Sequence, residues 1–372
     1  MPSDLCYWLI SAPLKDGSPD VMLNEVRQEI PSGVFAAKWE IPELKAGTLS
    51  SLLTLSDALP KIDSAFTSTT SKLLDQLRSL VDNDNGKIAQ HARVNDRPAE
   101  EYLMAGGEGF KWDKGRWGEG GKVTEVVEAL SKEMAVIEAT QREKAQSYNL
   151  AKGGLTTLQR KQIGNLSQRS LLDIVKKEHL VEDSEYLETL IVAVPKNLAK
   201  DWSNKYERLT SMVVPRSSQQ IASDDEFIVR DFTWDDSALE KQKRQLADLE
   251  IEEKELWTGL LRLTRINFSE AYQILAHLKT VRLFVESVLR YGLPADYAGV
   301  IIRPDPKTAA KTLRSITTHY AYLNNSSRDS SARRGKGKGS SALGDDIGGE
   351  WASVMEAEYY DIVLFEIPMV IC

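Results

Sequence analysis

Arg282-Leu-Phe-Val-Glu-Ser-Val-Leu-Arg-Tyr-Gly-Leu-Pro294 reads as the last turns of a buried amphipathic helix. Leu283, Phe284, Val288 and Tyr291 recur at helical spacing, with Arg282, Glu286 and Arg290 among them. Gly292 stands where a left-handed C-terminal cap is wanted, and Pro294 forbids further helix. The chain is therefore anchored, late in its length, on a helix with a deeply apolar face.

The same spacing rule extends outward to most of the chain. From Leu49 to about Val81, Leu55, Leu59, Ile62, Phe66, Leu73, Leu77 and Leu80 follow three-four spacing, and Pro60 is a candidate kink. A second long helix is predicted over 123–162, with Val126, Leu130, Met134 and Ile137 on one face. A third is predicted over 237–265, with Leu246, Leu249, Leu256, Leu260 and Leu263. The last two carry alternating Glu, Lys and Arg and only a narrow apolar stripe, which suits an antiparallel helical neck. Packing of both on one globular core is the plainer alternative. Tyr7–Ala12, Val34–Trp39, Leu190–Val194, Phe227–Phe232 and Glu358–Ile367 read as strands, and Met212–Val214 as a short strand-like run. A helix is expected through Leu198–Leu209. Residues 104–121, rich in glycine, read as a loop around Phe110, Trp112 and Trp117. The fold class is α+β and helix-rich.

Composition narrows the function without naming it. At 372 residues the chain can bury one large core or two modest ones. Hydrophobic residues at 42% and charged residues at 27% are ordinary globular values, and a net charge of -8 opposes general nucleic-acid binding. Cys6 and Cys372, at opposite ends, offer no disulfide framework and fit a reducing compartment. The apolar run through Leu9-Ile10 is too short for a signal peptide. No segment offers the roughly 20 apolar residues a membrane helix needs, so direct membrane insertion is not expected.

The residues of a catalyst are hard to find. A phosphate-binding loop needs a glycine-rich turn ending Gly-Lys-Ser/Thr, whose amides, lysine and hydroxyl hold phosphates and magnesium. The nearest approach, Gly120-Gly-Lys-Val123, lacks the hydroxyl and the upstream glycine and is better read as a helix start. His91, His179, His277 and His319 are scattered, so no metal site is suggested, and His277 reads as a packed core residue. There is no Gly-x-Ser-x-Gly elbow, and no cofactor is called for.

The segment Phe284–Pro294 resembles the signature of the C subunit of the eukaryotic vacuolar-type proton-pumping ATPase (V-ATPase). Tyr7–Pro13, Ile41–Leu49, Leu166–Lys176, Asp183–Leu187, Val192–Lys196, Met212–Ser217, Phe227–Phe232 and Asn267–Ala271 resemble further motifs of that family, in the family's order. The resemblance implies an elongated molecule: a foot from 1–121 and 266–372, a helical neck from 122–164 and 237–265, and a small α/β head from 165–236. It implies a non-catalytic stator component, peripheral on the cytosolic face of acidified organelles. The expected partners are heterodimers of the E and G subunits (the peripheral stalks) and the N-terminal domain of the membrane-sector a subunit. It also implies a part in assembly and reversible disassembly of the pump. A cytoskeletal or coiled-coil adaptor unconnected to the pump is the alternative. Within the matching motifs, Arg169, Lys176, Lys177, Lys196, Arg290 and Tyr291 are the candidate partner-binding residues.

Two segments stand apart. Family members place a strand and a basic helix after a motif like Ser223–Glu226, whereas here Glu226 joins Phe227 directly. On the order of twenty residues are missing from the expected head. Residues 324–349 are a low-complexity loop, read as disordered, whose Arg333, Arg334, Lys336 and Lys338 are candidate contacts for anionic lipid, actin or nucleic acid. A solvated linker accounts for them more simply.

Overall fold

A computed structural model of the chain describes residues 2–3, 5–14, 18–31, 33–105, 109–118, 120–163, 171, 174–181, 184–194, 198–208, 212–218, 228–230, 236–294, 296–323 and 360–370. The chain divides into two compact units: Met1–Gln141 with Leu261–Cys372, and Arg142–Leu260. The loop expected over 324–349 and the junction at Glu226 lie outside the described residues.

The first unit is built on a four-stranded antiparallel sheet drawn from both ends of the sequence. Strand β1 (Cys6–Pro13) lies between β7 (Tyr297–Arg303) and β8 (Val363–Pro368), with β2 (Phe35–Trp39) beyond β7. Leu9 faces Ile301 on one side and Phe365 on the other. Tyr7 and Leu9 point into one core, while Trp8, Ile10 and Ala12 point into another. That burial on both faces explains why β1 reads as an unbroken apolar run rather than an alternating one. Gly299 of β7 passes so close to β2 that a Cβ there would meet the Trp39 carbonyl oxygen at 2.9 Å.

Helices cover both faces. Helix α1 (Pro19–Glu29) sends Met22 and Val26 to the Trp8 face, and α9 (Ala309–His319) adds Leu313 and Ile316. The opposite face receives α2 (Leu49–Leu80), α6 (Val123–Ile163) and α8 (Asp236–Tyr291). Helix α2 starts at a capping box, in which the Thr48 side chain accepts from the Ser51 amide and Ser51 answers to the Thr48 amide. It runs through Pro60 as one element. Each large apolar side chain buried on these helices contributes about 1.5–3 kcal/mol.

Several expectations are met and others revised. The helices expected at 49–81 and 123–162 are present, as are the strands expected near the two ends. The helix expected over 237–265 and the one ending at Tyr291 are a single element of 56 residues. Gly259 is its only glycine and it contains no proline, so nothing in the sequence stops it. The 104–121 loop holds a short helix, α5 (Lys114–Trp117), capped by the Asp113 carboxylate.

Between α2 and α6 the described residues form four further small elements. Helix α3 (Asn85–His91) leads into a hairpin of β3 (Arg93–Val94) and β4 (Arg97–Pro98), and α4 (Ala99–Met104) follows. Asn95 and Asp96 form the hairpin turn with φ of 50° and 59°, the left-handed backbone that Asn and Asp tolerate best after glycine.

In the second unit, β5 (Ile191–Ala193) pairs antiparallel with β6 (Ile228–Arg230), Val192 opposite Val229. The helix expected at 198–209 is α7 (Ala199–Lys205) followed by a 3-10 turn at Tyr206–Arg208. Met212–Val214 is not a strand: Met212 lies in a turn and Val213 in a bend, and Met212 is 92% exposed.

Candidate functional site

The end of α8 is a junction of the first unit. The Arg290 guanidinium donates from one nitrogen to the carbonyls of Tyr360 (2.8 Å) and Ile362 (2.9 Å), just before β8. The Tyr291 hydroxyl donates to the Ser11 carbonyl of β1 at 3.0 Å and accepts from the Val363 amide at 3.2 Å. Ser287, one turn earlier, donates to the Ser11 hydroxyl at 3.0 Å. Gly292 then adopts φ 86° and its amide closes on the Val288 carbonyl at 2.9 Å, completing the cap read from sequence. Both half-buried candidates here, Arg290 and Tyr291, thus hold strands of their own unit.

A buried ion cluster lies two turns back. Lys279 Nζ meets Asp63 Oδ2 at 2.8 Å, and Arg282 shares the same oxygen while its guanidinium carbon sits 4.2 Å above the Phe365 ring. Burial pushes the Lys279 ammonium below its ordinary value, and the Asp63 charge opposes that shift. One carboxylate on α2 therefore fixes two cations on α8. The pattern gave a signal: Asp63 falls four residues after Leu59 and three before Phe66, on the apolar stripe, where an acid demands a cation.

His277 occupies an aromatic cage. Its ring centroid is 4.0 Å from Trp117, 4.8 Å from Phe110 and 5.1 Å from Trp112. The Gln273 carbonyl lies 2.7 Å from Nδ1, and the Asp113 amide donates to Nε2 at 3.2 Å. A carbonyl can only accept and an amide only donate, so both bonds require the neutral ring with its proton on Nδ1. Burial drives the imidazole down to about 4. The residue is a packed core histidine, as its neighbours imply. Beside it Arg116 reaches Glu133 of α6 at 3.0 Å and Glu270 of α8 at 2.6 Å. Gln141 of α6 donates to the Thr264 hydroxyl at 2.6 Å and accepts from Asn267 at 2.8 Å. In this unit α6 and α8 are thereby clamped antiparallel.

In the second unit, Leu171 and Val175 are buried, while Lys176 and Lys177 are exposed at the start of a 3-10 turn. The His179 ring accepts from the Lys176 amide at 3.0 Å, so the turn is tied to itself. Arg169 and Lys196 lie outside the described residues. Lys176 and Lys177 belong to one unit and Arg290 and Tyr291 to the other.

Gly120–Val123 leads directly into α6, as the helix-start reading expects. Among the described residues no three His, Cys, Asp or Glu side chains are placed to hold a metal ion. No helix among them is long and apolar enough to cross a membrane.

The family model for the V-ATPase C subunit matches residues 7–229 and 225–363. The two blocks meet at 225–229, beside the direct Glu226–Phe227 junction. The chain is similar to the V-type proton ATPase C subunit of Manduca sexta, 32% identical over 387 residues, covering 97% of each chain. It is 33% identical over 346 residues to the V-type proton ATPase C 1 subunit of Xenopus tropicalis, covering 86% of this chain and 90% of the relative. It is 32% identical over 389 residues to the V-type proton ATPase C 1-B subunit of Danio rerio, covering 98% of each.

Proposed function

The chain belongs to the V-ATPase C subunit family of non-catalytic stator components, and on that premise we propose that it bridges the peripheral stalks of a vacuolar-type proton pump to its membrane sector. Its partners in this reading are E–G heterodimers and the N-terminal domain of the a subunit. The carrying observation is the family match, which runs through both compact units from residue 7 to 363.

The task is mechanical, and the build of the chain suits it. A stator must hold one part still while another turns, which calls for stiff elements and several attachments. Helix α6 has 41 residues and α8 has 56. Attachments that are weak singly give strong avidity on one chain, and loss of any one permits release. Such a component can support both assembly and reversible disassembly.

Lys176 and Lys177 are exposed cations suited to an acidic stalk surface, and Arg169 and Lys196 belong to the same reading of the head. Arg290 and Tyr291 act by fixing the helix end against β1 and β8, which shapes the foot that partners meet. On the reading that a strand and helix are missing after Glu226, the head binds its stalk more weakly than the foot binds its own partners. The break in the family match at that point supports this.

The test is co-purification of the full chain with the E–G heterodimer and with the N-terminal domain of the a subunit, followed by cross-linking. Capture of both, with cross-links from the two units falling on different partners, is the expected result. Capture of neither, with binding to cytoskeletal filaments instead, would return the adaptor reading.

A further inference from the structure

We infer that the recess between the β3–β4 hairpin and α8 is a docking site for an acidic segment of a protein partner. It has a volume of about 330 Å³ and is lined by Arg93, Asp96, Arg262, Arg265, Ile266 and Glu270 among others, all within the first unit.

The charges of this recess do not cancel. Arg265 is paired with Asp96 at 2.9 Å, and Glu270 with Arg116 at 2.6 Å, an arginine that it shares with Glu133. Arg262 is exposed and makes no ion pair among the described residues. Arg93 spends one nitrogen on the Asp96 carbonyl at 3.4 Å, while its buried Nε has no acceptor among the described residues. Two guanidinium groups thus remain without a described counter-charge in a chain whose net charge is -8. An exposed guanidinium without a described ion pair, beside a second arginine likewise without one, offers forked donors to a carboxylate supplied from outside.

The site is already shaped. The Asn95 amide donates to the Ser269 hydroxyl at 3.1 Å, and its side chain donates to Gln273 at 3.2 Å. The left-handed turn at Asn95–Asp96 is thereby fastened to α8, so little ordering remains to oppose binding. Ile266, 50% exposed, lines the same recess. A free inorganic anion has no use for that apolar surface. A peptide segment with carboxylates flanking an apolar residue uses both features, and the guanidinium fork fits a carboxylate with two parallel hydrogen bonds. The inference deepens the stator reading and rests on it, since a stator component must meet protein partners at several places.

The test has two arms. In the first, the full chain is titrated with an acetylated Glu-Glu-Leu-Glu-Glu-Leu-Glu-Glu peptide, with its all-Gln counterpart, and with inorganic phosphate at matched ionic strength. The acidic peptide should bind, Arg262→Glu should weaken it at least tenfold, and Arg262→Lys should weaken it less. The Gln peptide and phosphate should bind far more weakly, and Arg244→Glu, further along α8, should leave binding unchanged. Thermal unfolding of Arg262→Glu should match the parent chain, because this exposed side chain has no ion-pair partner among the described residues. Equal binding by Arg262→Glu, absence of peptide binding, or phosphate binding as tight as the peptide would each overturn the inference. In the second arm, the same variants are added to pump complexes stripped of their own C subunit. Peptide binding intact but no association of the parent chain with the pump would refute the stator reading and leave the site standing. Association of Arg262→Glu as tight as the parent would overturn the site and leave the stator reading standing.

Discussion

Lys279 and Asp63 meet at 2.8 Å in the interior of the first unit, 216 residues apart in sequence, and Arg282 closes on the same carboxylate oxygen. The pair joins α2 to α8 behind the sheet. With Arg282 lying over Phe365 of β8, the cluster also reaches the last strand.

Replacing Asp63 by Asn leaves two cations near one another without their anion. Removing one partner of a buried ion pair costs about 3–5 kcal/mol. Asp63→Asn is therefore expected to destabilise the first unit by that order in urea unfolding, whereas Asp75→Asn, on an exposed stretch of α2, should be near neutral. Equal stability of the two variants would show that the cluster carries little of the fold.

Tyr291→Phe removes a hydroxyl that bonds both the Ser11 carbonyl and the Val363 amide. The expected cost is about 1–3 kcal/mol, with faster amide exchange concentrated in β8. Exchange mass spectrometry across 363–368 checks it, and unchanged protection there would remove Tyr291 from its place as the fastening of helix end to strand.

These two clusters also show what can be read from a single sequence. The stripes of α2, α6 and α8 are legible because each repeats locally every three or four residues. Asp63 leaves a trace on its stripe, but its partners lie on an element 216 residues away, and no local pattern names them. Arg290 and Tyr291 read as candidates for partner contacts only as members of the family's signature motif. Their bonds to Ile362 and Val363 depend on the arrival of β8, which no local pattern names. Strand β7 does carry a signal, the apolar run Val300–Ile302, which reading the helix end at 282–294 leaves unused. The hairpin at 93–98 is two residues per strand, too short for any alternation to register.

His277 gives the first unit a pH dependence of definite sign. Its folded value of about 4 lies below the ordinary 6.5. Between these values the unfolded chain binds the proton and the folded one does not, so stability falls as pH drops through that window. Full development of the shift corresponds to roughly 3 kcal/mol. Urea midpoints should decline from pH 7 to pH 4, and His277→Gln should flatten the part of that decline due to this residue. A His277→Gln profile parallel to the parent would place the pH dependence elsewhere.

The second unit should open more readily than the first. Tyr186 is 91% exposed, Leu190 68% and Val229 61%, whereas Ile274, Leu275 and Leu278 on α8 are fully buried. Local opening free energy falls with the number of buried apolar contacts. Amide exchange across 186–193 should be much faster than across 269–291. Equal protection would mean that the second unit is as complete a fold as the first, against the reading that a strand and helix are missing after Glu226.

Proton pumping by membranes stripped of their own C subunit tests the stator account most directly. Adding the full purified chain, which alone should hydrolyse no ATP, is expected to restore ATP-driven acidification, saturating near one chain per pump. If the C subunit native to those membranes restores acidification and this chain does not, the account is contradicted.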